Sequence, residues 1–221
     1  KWSPRFYQSP LWEYLCNGGK RAVTCWDRRA GKDDVFLHHT ACSMLERAGN
    51  YWYMLPQYGQ ARKSMWDAIN PKTGKRRIDD AFPPEIRKFT RENEMILGVG
   101  ESTFQLVGSD NFNSLVGSPP IGLVFSEYAL SMPSAWGYLM PIVEENGGWV
   151  GFNSTPRGKN HFKKLCDFAK SEPGWFYSAL TAKETNIFTE VQLQSILRQL
   201  HAEHGEEYGM ALWLQEYFVS F

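Results

Sequence analysis

The 221-residue sequence has no net charge, few cysteines and no long apolar run. Lys plus Arg and Asp plus Glu both number 24, so any contact with nucleic acid must depend on a local patch rather than on overall charge. The four cysteines lack CxxC or Cys/His metal spacing, and we expect three or four of them to be buried, reduced thiols of a cytosolic protein. No run approaches the roughly 18 apolar residues that cross a bilayer.

What the sequence does contain is a regular alternation of apolar runs and helical stretches. Strands are predicted at 21–26, 51–55, 94–99, 102–109, 121–127, 147–155 and 174–180, and helices at 31–49, 59–69, 160–171 and in two later segments. Gly98–Gly100 separates the third and fourth runs, which predicts a hairpin. Such an alternation is typical of a mainly parallel α/β sheet with helices on both faces and an antiparallel addition. We predict one domain over 1–221, with 70–85 as a surface excursion.

The stretch "RAVTCWDRRAGKDDVFLHH" joins a strand to a helix through a turn that ends in Gly31-Lys32. Loop amides and the helix dipole at such a junction favour phosphate groups, and the lysine reaches the terminal phosphates. The match is imperfect, because Trp26 replaces the first glycine and Asp33 stands where Ser or Thr is usual. The alternative is an ordinary turn with an exposed lysine.

A second element lies downstream, where the apolar strand "IGLVFSEYA" ends in Ser126-Glu127. P-loop ATPases place a carboxylate here to hold the magnesium shell, followed by a Glu that polarises the attacking water. Here Ser126 occupies the place of that carboxylate. We interpret the two departures together: Asp33 and Ser126 have exchanged places and both face the metal. Asp33 could instead cap the following helix.

The ordered motifs resemble those of the N-terminal ATPase domain of the tailed-phage terminase large subunit, over essentially the whole chain. The resemblance is carried by "PRFYQSPLW", "WDRRAGKD", "YWYMLPQYGQARKSMWDAI", "FQLVGSDNFNSLVGSPPIGLVFSEYAL", "GFNSTPRGKNHF" and "LQEYFVSF". It implies a P-loop NTPase fold of the RecA/ASCE kind that binds ATP with Mg2+.

The resemblance also implies roles for individual residues. Tyr7 and Gln8 belong to the adenine-side motif, and the expected catalytic residues are Glu127, Lys32 and Arg28. The expected nucleotide-binding residues are Tyr7, Gln8, Asp27, Arg28, Arg29, Ala30, Gly31, Lys32, Asp33 and Asp34. Asp33 and Ser126 are the expected metal ligands, with Arg28 and Arg29 offsetting the extra negative charge. The polar turn Asn153, Ser154, Thr155 and Pro156 resembles the coupling motif, and as the end of a buried strand it lies where α/β sheets bind ligands.

The implied activity is ATP hydrolysis that drives double-stranded DNA into a procapsid. The implied partners are DNA, a homo-oligomeric ring of this chain on the capsid portal and a small terminase subunit, in the host cytoplasm and without a membrane. The family's C-terminal nuclease domain is expected to follow residue 221, so we expect no DNA cleavage. Val116 stands where many terminases have a trans-acting arginine, which leaves Arg157 and Arg62 as candidates.

Two other functions stay open at this point. One is a P-loop module of another DNA-dependent ATPase, such as a helicase-like motor, and the other is a nucleotide-binding module that has lost hydrolysis. GTP is disfavoured because the Asn-Lys-x-Asp guanine motif is missing from the sequence. The basic cluster at 72–77 either contacts DNA phosphates or is a solvated loop.

Overall fold

A single eight-stranded sheet organises the chain in the computed structural model, which describes residues 2–115 and 117–221. Its strands are β1 (Arg21–Trp26), β2 (Asn50–Leu55), β3 (Arg87–Arg91), β4 (Ile96–Val99), β5 (Ser102–Gly108), β6 (Pro120–Ser126), β7 (Trp149–Ser154) and β8 (Trp175–Leu180). Their order in the sheet is β3-β4-β5-β2-β6-β7-β1-β8. The six strands from β5 to β8 pair in parallel, whereas β3 and β4 pair antiparallel at one edge.

Helices lie on both faces of this sheet. They are α1 (Ser9–Cys16), α2 (Lys32–Glu46), α3 (Tyr58–Ala61), α4 (Arg77–Ala81), α5 (Pro133–Glu145), α6 (His161–Ser171), α7 (Ala182–Thr185), α8 (Glu190–His204) and α9 (Glu206–Phe218). A π-helical turn continues α3 over Arg62–Trp66, and a 3-10 turn follows β6 over Tyr128–Leu130. In the described ranges no helix combines the length and the apolar character that a membrane crossing needs.

The apolar strands are buried on both sides, which divides the core into two layers. In β2, Tyr51 and Tyr53 face the layer covered by α1, α2 and α4, while Trp52 and Met54 face the layer covered by α5 and α6. Alternate residues of one strand therefore support different helices, as the two-residue period of a strand requires. This explains why the strands appear in the sequence as continuous apolar runs rather than as alternating ones.

The predicted fold class is confirmed, including the antiparallel addition and the hairpin around Gly98–Gly100. Among the elements that were not predicted are α1, α4, α5 and β3. Helix α5 carries Gly137 and Pro141 in its interior, residues that disfavour helices in isolation. Strand β3 is polar and half exposed at the sheet edge, so it lacks an apolar pattern.

Two other expectations were wrong. The 70–85 stretch is not only a surface excursion, because it contains α4, whose Ile78 is fully buried against the core. The packing of one helical turn decides this, and two apolar residues, Ile78 and Ala81, among three charged ones give no periodic signal. Of the four cysteines, Cys25 and Cys166 are buried, but Cys16 and Cys42 lie exposed on helices.

The sheet order brings the carboxyl ends of four strands together. β2, β6, β7 and β1 are consecutive neighbours and run in the same direction. In the register of these pairs, Ser126 lies beside Asn153, and Ser154 lies beside Cys25. Ligands of open α/β sheets bind at this edge, and the loop after β1 (residues 27–31, the 27–31 loop) lies there.

Candidate active site

The 27–31 loop is fixed at its start by two backbone hydrogen bonds to other elements. The amide of Asp27 donates to Leu180 of β8 at 2.8 Å, and the amide of Arg28 donates to Glu216 of α9 at 3.0 Å. The loop ends at Gly31, which caps α2 with φ of +70°, a left-handed conformation that glycine adopts without strain. A Cβ at Gly31 would also lie 2.9 Å from Nε2 of Gln8, so a larger residue here would displace the end of the Gln8 side chain.

Gln8 and Tyr7 hold the outer edge of the loop. Nε2 of Gln8 donates to the carbonyls of Ala30 at 2.9 Å and Gly31 at 3.1 Å, and the Tyr7 hydroxyl donates to Ala30 at 3.2 Å. Both side chains are buried, whereas the neighbouring Phe6 is 70% exposed. Both residues of the predicted adenine-side motif therefore form hydrogen bonds to the 27–31 loop itself. The exposed aromatic ring beside them is Phe6, which sequence reasoning passed over in favour of Tyr7.

Lys32 is the first residue of α2, and its side chain folds back over the loop. Nζ donates to the carbonyls of Trp26 at 3.2 Å and Asp27 at 3.1 Å, and the residue is only 7% exposed. The ammonium therefore lies inside the turn, beside the dipole at the start of α2. This arrangement concentrates positive charge at the mouth of the loop.

Asp33 is held by three strands at once. Its Oδ1 accepts hydrogen bonds from Tyr53 of β2 at 2.6 Å, Ser126 of β6 at 2.7 Å and Asn153 of β7 at 3.1 Å. Gly31 occupies the capping position of α2, and the Asp33 carboxylate is directed to the sheet instead. The two residues of the proposed exchange are thus in direct contact, 93 positions apart in the chain. Tyr53 was not predicted, since a tyrosine in an apolar strand gives no functional signal.

The cation that balances Asp33 is Arg77. Its Nη2 lies 3.0 Å from Oδ1 of Asp34 and 3.7 Å from Oδ2 of Asp33. Burial acts to raise the pKa of Asp33, but the Arg77 guanidinium and the hydrogen bonds from neighbouring hydroxyls hold that pKa below its usual value.

Arg28 and Arg29 were expected to provide this balance, and the structure corrects that expectation. Arg28 instead has its Nε 3.5 Å from Glu216, and Arg29 is exposed with φ of +69°. In the described residues neither arginine is ion-paired with Asp33 or Asp34, and a cation from α4, Arg77, reaches both carboxylates instead. Arg77 follows 45 residues after Lys32, in a stretch without a motif, and no pattern in the sequence points to it.

Glu127 lies at the same carboxyl-terminal edge of the sheet, directly after β6. Its φ of +54° turns the backbone out of β6, and its side chain is half-buried, with Oε2 at 3.5 Å from Oγ of Ser154. Burial raises the pKa of Glu127, and Lys32 acts in the opposite direction. A raised pKa brings a carboxylate closer to the range in which it accepts and returns a proton.

The turn at 153–156 connects these two carboxylates. Asn153 donates to Asp33 at 3.1 Å, and Oγ of Ser154 accepts from the amide of Ala129 at 3.3 Å while it faces Glu127. Thr155 and Pro156 are buried. A displacement of this turn would therefore change the contacts of both Asp33 and Glu127.

The two candidate trans-acting arginines are both engaged within the chain. Arg157 donates to Oε1 of Glu216 at 2.6 Å, close to the site. Arg62 donates to the carbonyls of Glu92 and Asn93 at 2.8 Å each, where it ties the π-helical turn to the segment before β4. Val116, the position at which the family's arginine was expected, lies outside the described residues.

Asp33 and Ser126 fit a magnesium ion as ligands only if phosphate oxygens complete its coordination. Oδ2 of Asp33 accepts no hydrogen bond from the described residues, and the Ser126 hydroxyl is adjacent through Oδ1. No cluster of three His, Cys, Asp or Glu side chains suited to a metal occurs in the described parts of the chain. Magnesium commonly uses one or two protein ligands, with phosphates and waters completing the octahedron.

Solved structures with the same fold are ATPase domains of phage terminases. The ATPase domain of the Thermus phage P74-26 large terminase is 17% identical and superposes with a TM-score of 0.71 over 100% of both chains. The large terminase of a second thermophilic bacteriophage gives a TM-score of 0.70 at 14% identity, over 99% of this chain and 53% of that one. The same terminase in complex with ATP-gamma-S gives 0.68 at 14% identity, with the same coverage.

The chain thus spans about half the length of this second large terminase. No protein-family model and no curated protein matches the sequence. The resemblance that the motifs indicated is confirmed at the level of the fold: the chain has the architecture of a terminase ATPase domain throughout.

Proposed function

We propose that this chain is the ATPase motor domain of a viral terminase large subunit, which hydrolyses ATP to drive double-stranded DNA into a procapsid. The observation that carries the proposal is the hydrogen bond between Asp33 and Ser126, which brings a carboxylate and a hydroxyl together beside Lys32. The fold shared with terminase ATPase domains supports it, as does the structure of a thermophilic-bacteriophage large terminase in complex with ADP.

In this proposal the 27–31 loop, with Asp27, Arg29, Ala30 and Gly31, encloses the phosphates. Its amides and the start of α2, which carries Asp33 and Asp34, face them. Lys32 exchanges the carbonyls of Trp26 and Asp27 for phosphate oxygens. Asp33 and Ser126 would hold magnesium, which would neutralise charge on the phosphates. Phe6 stacks on the base, while Tyr7 and Gln8 keep the loop in shape.

Glu127 acts as the general base of the hydrolysis. It accepts a proton from a water whose oxygen bonds to the γ-phosphorus, while the bond from that phosphorus to the β,γ-bridging oxygen breaks and ADP leaves. Lys32 and Arg28 stabilise the negative charge that develops on the transferred group. Loss of the γ-phosphate changes what Ser154 contacts, and Asn153, Thr155 and Pro156 carry that change away from the site.

Around the domain, we propose a ring of identical chains on the capsid portal, with duplex DNA and a small terminase subunit as partners, in the host cytoplasm. A cation from one subunit would complete the site of its neighbour. Arg157 and Arg62 are the two candidates; within the chain Arg157 pairs with Glu216 and Arg62 donates to backbone carbonyls, so either would exchange these partners on assembly. Freedom from nuclease activity stays a prediction.

Two variants test the proposal. Lys32→Ala removes the one lysine held inside the loop, so calorimetry should show loss of Mg·ATP binding while the circular dichroism spectrum is unchanged. Glu127→Gln removes the base but not the ground-state contacts, so it should bind Mg·ATP and hydrolyse it at least about ten times more slowly. Unaltered affinity in Lys32→Ala would refute the nucleotide site.

The same measurements separate the alternative functions. A wild-type chain that binds Mg·ATP but gives no turnover, alone or with DNA, would be a binding module that has lost hydrolysis. Turnover stimulated by DNA, without assembly into a ring at any protein concentration, would favour a helicase-like ATPase.

A further inference from the structure

Arg77 is placed where it must respond to the loading of the site. It reaches two adjacent carboxylates in the first turn of α2, Asp33 and Asp34, from a segment that is otherwise remote in sequence. Its side chain is 23% exposed and is additionally held by the carbonyl of Ser64, to which Nη1 donates at 3.4 Å. Its role as inferred here rests on the proposed function, in which Asp33 binds magnesium.

The two oxygens of Asp33 have different surroundings. Oδ1 already accepts three hydrogen bonds, from Tyr53, Ser126 and Asn153. Oδ2 accepts none from the described residues and lies 3.7 Å from Arg77, too far for a hydrogen bond but close enough for an ion pair. Oδ2 is consequently the oxygen that a metal would take, and Arg77 holds the cation position beside it.

Other cations of the site are committed elsewhere. Lys32 is bound to loop carbonyls, Arg28 to Glu216, and Arg5 to the hydroxyl of Tyr7. Arg77 is thus the one cation in ion-pairing distance of Asp33 in the part of the chain that the structure describes. A divalent ion on Oδ2 would repel this guanidinium.

We propose that Arg77 balances the charge of Asp33 until a magnesium–nucleotide complex binds, and that the metal displaces Arg77 from Asp33. Arg77 keeps its shorter ion pair with Asp34, so the displacement is a shift rather than a release. The shift is transmitted to the segment that ends at Arg77. The amide of Arg77 donates to Ala68 at 2.8 Å, and residues 69 and 76 form an isolated bridge that closes the exposed loop 70–75.

This loop carries Lys72 and Lys75, both exposed. Binding of magnesium and nucleotide at the site would therefore change the position of these two surface lysines, which belong to the basic cluster at 72–77. The position of the loop then depends on the metal and not on the nucleotide alone, because only the metal competes for Oδ2.

The test uses Arg77→Gln, which keeps a donor for Asp34 but removes the charge, with Arg76→Gln as the matched control. Arg76 is adjacent but pairs with Asp79 and Glu92, outside the site. The quantity measured by calorimetry is the magnesium factor: the Kd of ATP-gamma-S in EDTA divided by its Kd in Mg2+. We expect Arg77→Gln to raise this factor by about tenfold, as typical coupling between two binding events would, and Arg76→Gln to leave it unchanged.

A second readout uses the wild-type chain alone, so it does not depend on how the variant folds. Trypsin cleavage after Lys72 and Lys75 should accelerate with ATP-gamma-S and Mg2+ but not with ATP-gamma-S in EDTA. The inference would be overturned by an unchanged or lower magnesium factor in a folded Arg77→Gln. It would also be overturned if trypsin cleavage of the wild type were the same with and without Mg2+. In either case, binding of ATP-gamma-S would still uphold the proposed function. Absence of ATP-gamma-S binding by the wild type would overturn both.

Discussion

At the scale of single residues, the charge of the site depends chiefly on Asp33. The side chain is fixed by donors from three strands, and its partner Ser126 could be recognised because both departures from the usual motif occur together. Tyr53 and Arg77 complete the same cluster, yet Arg77 stands in no motif and the motif that contains Tyr53 assigns it no role. Two departures from a known motif can suggest that the two residues are in contact. A contact that only tertiary packing creates cannot be inferred from the residue type at either position.

The contact between Asp33 and Ser126 predicts energetic interaction between their variants. Asp33→Ser leaves two hydroxyls and no carboxylate, and Ser126→Asp places two carboxylates beside the phosphates, so each should weaken Mg·ATP binding or slow turnover. The double exchange restores one of each group. We expect it to recover much of the loss, with an interaction energy of roughly 0.5–3 kcal/mol between the two positions.

A double-mutant cycle on affinity and turnover measures this energy. Asp34→Ser, combined with Ser126→Asp, is the matched control, because Asp34 pairs with the same arginine while the Ser126 hydroxyl donates to Asp33 instead. Strict additivity for the Asp33 pair would show that the two residues do not share a ligand.

Asp27 predicts a pH dependence of stability. Burial raises its pKa to about 6, which the hydrogen bond from Thr185 only partly opposes. Because the folded-state pKa lies above the unfolded value of 3.8, the folded chain binds this proton more tightly. The residue's contribution to the free energy of unfolding is thus fully present below about pH 4 and is lost as pH rises through about 6.

Asp27→Asn should remove this dependence while it keeps the shape of the side chain. At about 1.4 kcal/mol for each pKa unit, the difference in unfolding free energy between variant and wild type should change by about 2 kcal/mol from pH 4 to pH 7, in favour of the variant at pH 7. Urea denaturation at both values measures it. Parallel curves for the two proteins would show that Asp27 does not titrate in this range.

At the scale of helices and strands, the elements that could be predicted are those whose pattern is local. β1 and α2 were predicted because an apolar strand, a glycine turn and a helix follow one another within the sequence. Helix α5 was missed because Pro141 and Gly137 disfavour it intrinsically, and its apolar side against the β-sheet outweighs them. α4 was missed because a helix of five residues, two of them apolar, is too short to show a period.

The fit of α2 onto the sheet predicts the effect of one methyl group. Phe36 packs where Gly151 of β7 leaves space, and a Cβ at Gly151 would lie 2.2 Å from the ring. Since neither the ring nor the strand has free space, Gly151→Ala should lower the free energy of unfolding by about 1–3 kcal/mol. Thermal and urea unfolding measure it.

Gly137→Ala is the matched control within a helix. A Cβ at Gly137 would meet no atom within 4 Å, and the position is exposed in α5. The substitution should stabilise the protein by about 0.5–1 kcal/mol, as alanine does in a helix interior. Equal effects of the two substitutions would contradict the packing of Phe36 against β7.

At the scale of the whole molecule, the C-terminal helix is joined to the site rather than appended to it. Glu216 of α9 accepts from Arg157, pairs with Arg28 and receives the Arg28 amide through its carbonyl. The sequence predicts two helical segments here but not their contact, because ion pairs between elements distant in the chain leave no periodic pattern.

If a ring is the active form, turnover per chain should rise with protein concentration. A cation supplied by a neighbour accelerates phosphoryl transfer by about 10³–10⁵-fold where it has been measured in other systems, so even partial assembly should be visible. Steady-state rates are to be measured alongside sedimentation. Lys32→Ala chains, added in excess, should lower the turnover of the wild-type chains with which they form mixed rings. Turnover that is flat with concentration and indifferent to the added variant would indicate a site complete within one chain.

The hydrogen bond between Ser126 and Asp33 also bears on how relatives of this chain are to be found and how they arose. A search that scores each position separately penalises both residues, although in space the hydroxyl and the carboxylate are both present. Scoring the two positions as one pair would recover such chains. An ancestor with the usual arrangement could not reach this one by single replacements without passing through two hydroxyls or two carboxylates. Sequences that carry either intermediate should consequently be rare, and those with two carboxylates should hold a cation at the position of Arg77.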